Sequence, residues 1–241
     1  MSLFVLVHGS WHDGSAWQAT AKHLESKGHR TLAPTIAGHG QGANKKVNHA
    51  ECTKSIVDFM VGKGVEDAIL VGHSFGGTII SKVVEAIPER IRRLVFVNGF
   101  VLKDGNSLMD EVPPWTAAQF EALAREAGDG SVILPFPVWR EAFINDADLE
   151  TAKRCYALLS PSPYQPDIDK LDMKKFYALG TPRSYINCTE DNALPQGEWG
   201  WHPRMSGRLG MYRLVQMPGS HEVMHTNPAG LAEKLVEAGR D

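Results

Sequence analysis

The chain has 241 residues, 43% of them hydrophobic, 22% charged and 8% aromatic, which is ordinary globular composition for one large domain or one domain carrying an insertion. A formal charge of −3 gives no electrostatic reason to expect nucleic acid or an acidic membrane surface as a partner. The three cysteines, Cys52, Cys155 and Cys188, lie far apart with no C-x-x-C, which fits a reducing cytoplasm better than a disulfide framework.

The opening MSLFVLVHGS has a short apolar run, LFVLV at 3–7, without a basic leader or a small-residue cleavage site, so it reads as a buried strand and not a signal peptide. No run approaches the roughly eighteen apolar residues that a membrane span needs. A helical pattern follows at 17–27, then RTLAP (30–34) as a strand, a helix over 48–62, the strand AILVG (68–72), a helix over 76–87 and the strand RLVFVN (93–98). These apolar runs are continuous, not alternating, which implies burial on both faces as in parallel strands.

The alternation breaks between about 104 and 180. Helical pieces at 116–127 and 147–159 are separated there by proline-rich joints, PPW (113–115), PFP (135–137) and SPSPYQP (160–166), with no strand pattern. Strands resume at RSYINC (183–188) and YRLVQM (212–217), and a closing helix lies in 227–239, with Asn227 as its cap and Pro228 in its first turn. The expected fold is therefore α/β, a mostly parallel six-stranded sheet flanked by helices and formed by residues 1–103 and 181–241. Residues 104–180 form a helical cap insertion over the C-terminal edge, where open α/β sheets place their ligands.

The most informative stretch is AILVGHSFGGTII (68–80), which carries G-x-S-x-G as Gly72-His73-Ser74-Phe75-Gly76 between a strand and a helix. A serine at a sharp strand-to-helix turn adopts strained dihedrals, and its neighbours two positions away pack too closely for a side chain. A hydroxyl needs a base and a group that orients that base, and in this arrangement the chain order is serine, acid, histidine. NCTED (187–191) ends one late strand and offers Asp191, with Glu190 as the weaker choice; the turn after the last strand delivers His221. The oxyanion donors expected are the backbone amides of Phe75 and of Ser10, the latter in the loop HGSWHDG (8–14), which His8 would hold in shape.

His221-Glu222-Val223-Met224-His225 also spells H-E-x-x-H, a zinc-protease signature. That signature works because residues four apart share one face of a continuous helix. Pro218 and Gly219 before it and Pro228 after it argue against such a helix, and no third ligand follows, so no metal is expected and His225 reads as a packing or supporting residue.

HGSWHDGSAW, GHSFGG, INCTED and PGSHEVMHTNP together resemble the compact capped α/β-hydrolases that include plant methylesterases and the related hydroxynitrile lyases. The resemblance spans the whole chain, weakest in 104–180, and implies the α/β-hydrolase fold with a Ser74–Asp191–His221 triad. Two departures separate the chain from the lyases, which carry threonine where this chain has Gly9 and, just after the histidine, a cyanide-stabilising lysine where it has Glu222. WREAFINDADLE (139–150) and GEWGWHPRMSGRLG (197–210) further resemble small bacterial hydrolases that split methyl carbamates of the carbendazim type from flat heteroaromatics.

The cap and rim are rich in aromatics, and Trp115, Trp139, Phe143 and Trp199, with His12 and Glu222, are the candidates for the pocket wall. The expected protein is a cytoplasmic serine hydrolase without metal or cofactor, acting on a small, aromatic ester or methyl carbamate. Its expected partner is a small-molecule substrate, with neither nucleic acid nor membrane, and a homodimer is compatible with the sequence. A cofactor-free lyase and a non-catalytic ligand receptor on the same fold are the alternatives.

Overall fold

The computed structural model describes residues 1–240. Strand β1 (Leu3–Val7) is followed by helix α1 (Gln18–Ser26), β2 (Arg30–Leu32), α2 (His49–Gly62), β3 (Ala68–His73), α3 (Gly76–Ala86) and β4 (Ile91–Val97). Next come α4 (Pro114–Ala127), β5 (Ser131–Val132), α5 (Phe136–Ala142), α6 (Leu149–Tyr156), β6 (Ser162–Pro163), α7 (Gln165–Ile168) and α8 (Lys174–Ala178). The chain returns to the sheet with β7 (Arg183–Cys188) and β8 (Arg213–Met217), then forms α9 (Val223–Thr226) and α10 (Pro228–Ala238).

The main sheet has six strands in the order β2-β1-β3-β4-β7-β8, and every neighbouring pair is parallel. The expected parallel sheet is thus present, and its continuous apolar strands have a direct cause. Alternate residues of each strand enter opposite layers. Phe4 and Leu6 of β1, with Ile69 and Val71 of β3, pack against Trp17 and the apolar faces of α1 and α10. Val5 and Val7, with Ala68 and Leu70, face Ile56 and Met60 of α2 and Ile79 and Val83 of α3. Helix α2 starts where it does because Asn48 and Glu51 cap each other: the Asn48 side chain accepts from the Glu51 amide at 2.9 Å, and Glu51 accepts from the Asn48 amide at 2.8 Å.

The stretch 104–180 departs from its expected all-helical character. β5 and β6 form a small antiparallel ribbon, pairing Val132 with Ser162 and Ser131 with Pro163. Two residues per strand are too few to write an alternation into the sequence, which is why it gave no strand signal. Two of the proline joints are helix starts: Pro114 is the first residue of α4, and Pro135 precedes α5 with Pro137 in its first turn. Proline's fixed φ and missing N–H suit those positions. A third apolar cluster ties these elements together and includes Phe120, Leu134, Trp139, Ile144 and Cys155. Leu171, Met173 and Phe176 instead join the layer beside α3, so α8 packs with the sheet's own helices.

Trp139 is 0% exposed, with its ring 5.5 Å from that of Tyr156. Truncating a buried tryptophan removes its transfer energy and leaves a cavity, so Trp139→Ala is expected to cost about 3–5 kcal/mol of stability. A denaturant titration followed by circular dichroism checks this, and an unchanged midpoint would contradict the packing described.

Candidate active site

β3 and α3 are joined by a turn so tight that Ser74, between them, has φ of 52°. That left-handed conformation costs a non-glycine residue on the order of 1 kcal/mol or more and persists only where its surroundings enforce it. The enforcement is visible. The Ser74 amide donates to Val97 O at 3.3 Å, and its carbonyl accepts from the amides of Gly77 at 2.9 Å and Phe100 at 3.0 Å. A Cβ on Gly72 would stand 2.5 Å from the Gly76 carbonyl oxygen, so the flanking glycines are required by contact. The hydroxyl is thereby lifted to the C-terminal edge of the sheet at the N-terminus of α3.

His221 follows β8, and Asp191 follows β7. His221 Nδ1 and Asp191 Oδ2 are 2.5 Å apart, with the two side chains 2% and 0% exposed. A carboxylate accepts, so Nδ1 carries the proton and Nε2 keeps its lone pair, buried and without a hydrogen-bond partner among the described residues. Asp191 is itself fixed: Oδ1 accepts from the Ala193 amide at 2.8 Å, and Asn98 Nδ2 donates to Oδ2. Glu190, the weaker candidate acid, is exposed. The imidazole lies between Trp201, stacked at 5.3 Å, and Phe143, edge-on at 5.2 Å. Burial alone would lower the His221 pKa, but the Asp191 charge and hydrogen bond, with Glu222 adding, outweigh it and raise the pKa above the ordinary value.

Ser74, His221 and Ser10 line one cavity of about 170 Å³. The amides of Ser10 and Phe75 donate no hydrogen bond among the described residues. The loop after β1 is held by His8, whose Nε2 accepts from the Ile36 amide at 3.0 Å while Nδ1–H donates to the Gly9 carbonyl at 2.8 Å. Burial, with the neighbouring His39, keeps His8 neutral, well below its ordinary pKa.

Of the expected wall residues, Phe143 lines the cavity and the others do not. Trp139 is consumed in packing the cap. Trp115 is 63% exposed and meets Trp199 on the outside, ring centroids 6.5 Å apart, while Arg204 lies over Trp199 at 5.5 Å. These rings cover surface, because their helix and loop present them away from the sheet edge. The wall is built from Phe100, Leu108, Phe120, Leu134 and Trp201 instead. His12 and Glu222 are buried, but beside the base and not in the wall.

Three functional candidates, Asn98, His73 and Asp167, lie outside the residues expected from the sequence. Asn98, at φ 35°, holds Asp191 and also accepts from the Cys188 amide at 2.9 Å; an Asn-Gly pair directly after a strand was the available signal. His73 donates from Nε2 to the His221 carbonyl at 3.0 Å and so positions the base loop. Of the two rim tryptophans in GEWGWHPRMSGRLG, Trp201 lines the cavity and Trp199 does not. Asp167 lines the cavity while nearly fully buried, and burial, with the Asp169 charge adding, pushes its pKa up to about 8. It is a neutral carboxylic acid at neutral pH.

The H-E-x-x-H residues divide between two roles. The His221 ring is committed to Asp191, and α9 begins only at Val223, so the motif has no continuous helix. Glu222 Oε2 lies 2.9 Å from His12 Nε2 and 3.9 Å from His225 Nε2. Burial opposes the Glu222 carboxylate, yet the charge of His12 and lesser contributions from His73 and His225 hold it well below the ordinary range. Burial and the nearby His12 bring His225 down to about 4.

The alpha/beta hydrolase family pattern matches residues 4–234. The chain is 31% identical to the carbendazim hydrolyzing esterase of Nocardioides sp. (strain SG-4G), over 99% of this chain and 100% of that one. It is 27% identical to methylesterase 1 of Arabidopsis thaliana, over 82% of this chain and 81% of that one. Among solved structures, an extracellular alpha/beta-hydrolase from a Paenibacillus species superposes with a TM-score of 0.98 at 43% identity, over 100% of both chains. That protein is described as sharing structural and functional homology with tobacco salicylic acid binding protein 2. The chain belongs to the alpha/beta hydrolase family, as an esterase-type member.

Proposed function

We propose that the protein is a serine esterase that cleaves a small ester or methyl carbamate of a flat aromatic group, with Ser74 as nucleophile, His221 as base and Asp191 as its orienting acid. The observation that carries this reading is the buried His221–Asp191 pair, whose free Nε2 belongs to the same cavity as the strained Ser74. Ser74 attacks the carbonyl while His221 takes the hydroxyl proton, and the Ser10 and Phe75 amides stabilise the developing oxyanion. His221 returns the proton to the departing alkoxide, giving an alcohol and an acyl-enzyme. Water, activated by the same histidine, then releases the acid.

The apolar wall supports a flat group. Asp167 supports a polar handle on it: a neutral carboxylic acid both donates and accepts, which matches a ring nitrogen beside an N–H, as in an amino-heteroaromatic carbamate. The name of the Nocardioides relative agrees in chemical class. The lyase alternative is disfavoured at two positions. A Cβ at Gly9 would press on Ser74 Cβ and His73 Nδ1 at 2.9 Å, leaving no room for a threonine, and Glu222 puts a negative charge where departing cyanide needs a positive one. No helix among the described residues is long and apolar enough to cross a membrane, and three free, buried thiols support the cytoplasm as compartment.

With p-nitrophenyl acetate, the wild type is expected to give a burst of nitrophenol and Ser74→Ala none, its steady rate falling on the order of 10⁴-fold or more with unchanged circular dichroism. A wild type without a burst favours the receptor, and a fully active Ser74→Ala removes the nucleophile assignment. Since the base acts only when neutral and its pKa is raised, kcat/KM is expected to rise with pH through a midpoint above about 6.5. A midpoint below that value contradicts the Asp191 pairing. Asp167→Leu is expected to raise KM for an N–H-bearing heteroaryl carbamate about tenfold while sparing a plain phenyl ester; equal effects on both remove Asp167 from recognition.

A further inference from the structure

We propose that His12 Nε2, Glu222 Oε2 and His225 Nε2 form a site for one divalent first-row cation, with zinc the best match, beside the base and outside the substrate cavity. The three ligand atoms lie within 4.8 Å of one another. All three are buried and lack a hydrogen-bond partner among the described residues, even though His12 Nε2 and Glu222 Oε2 are only 2.9 Å apart. An ordinary ion pair would align the imidazole N–H with the carboxylate. Here a third nitrogen, His225 Nε2, converges on the same carboxylate oxygen from 3.9 Å. Buried polar atoms without partners call for an occupant.

The donor chemistry selects the occupant. Two imidazole nitrogens and one carboxylate oxygen suit zinc and its first-row neighbours, and suit magnesium or calcium poorly. Zinc bonds of about 2.0–2.1 Å in a tetrahedral arrangement space the ligands about 3.3 Å apart, so the observed separations close on an ion with side-chain shifts of roughly an ångström. His12 and Glu222 are 4% and 1% exposed, and His225 is 14% exposed. None of the three lines the cavity, so the ion does not reach the scissile carbonyl. Its effect is to fasten two loops: His12 is two residues from the Ser10 amide, and Glu222 follows His221 directly. Two of the three defined residues of H-E-x-x-H thus hold metal with a histidine from the far end of the chain, and the site is independent of the ester-cleaving role of Ser74.

The test uses the full chain, stripped with EDTA and dialysed, then titrated with zinc sulfate by calorimetry and with cobalt(II) by visible absorption. One ion per chain, cobalt bands of a low-coordinate nitrogen–oxygen site and a zinc-dependent rise in Tm are expected. His225→Leu and Glu222→Gln are each expected to weaken zinc binding at least about tenfold, and His225→Leu, at the partly exposed ligand, is expected to keep the metal-free circular dichroism spectrum of the wild type. If the stripped wild type takes up no stoichiometric ion, or both variants bind zinc as tightly as it does, the site is refuted and the cluster is an ion pair with an added histidine.

Discussion

Ser74 can hold its left-handed conformation only because three parts of the chain grip its backbone: the end of β4 through Val97, the start of α3 through Gly77, and the following loop through Phe100. That grip depends on the parallel register of β3 and β4, which brings Val97 beside His73. The apolar layers on both faces of the sheet are what fix the register, since a one-residue slip would exchange every strand side chain between them. The strained residue is therefore supported by the whole core and not by its neighbours alone.

The His221–Asp191 pair is organised from the same sheet edge. Asn98 extends β4, Asp191 extends β7 and His221 extends β8, so three neighbouring strands each deliver one member of a hydrogen-bonded line. His73, the residue before Ser74, ties back to the His221 carbonyl. Burial with the nearby His221 keeps His73 neutral, well below its ordinary pKa, so it holds the base loop without adding positive charge beside the base. Trp201 and Phe143 exclude water from the imidazole while Asp191 sets its tautomer.

The parallel sheet and the elbow were legible in the sequence because both rest on local rules: continuous apolar strands, and glycines where no side chain fits. The placement of Asp191 and His221 after neighbouring strands was legible for the same reason. The wall was not. Whether a tryptophan faces the cavity or the solvent depends on how a proline-started helix docks, and Trp115, Trp139 and Trp199 have compositions no different from Trp201. Asp167 was hidden likewise, because its neutrality comes from burial by residues distant in the chain. The convergence of Glu222 and His225 with His12 is a product of tertiary structure, since His12 lies at the other end of the chain.

Trp11 adds a mechanical consequence. It holds φ of 65°, its indole N–H donates to Val132 O at 3.0 Å, and its carbonyl accepts from the Ser160 amide at 2.9 Å. Both partners belong to the cap, and Trp11 is bonded covalently to Ser10. Lifting the ribbon and Ser160 off the sheet edge would break these bonds and unclamp the strained loop that carries Ser10.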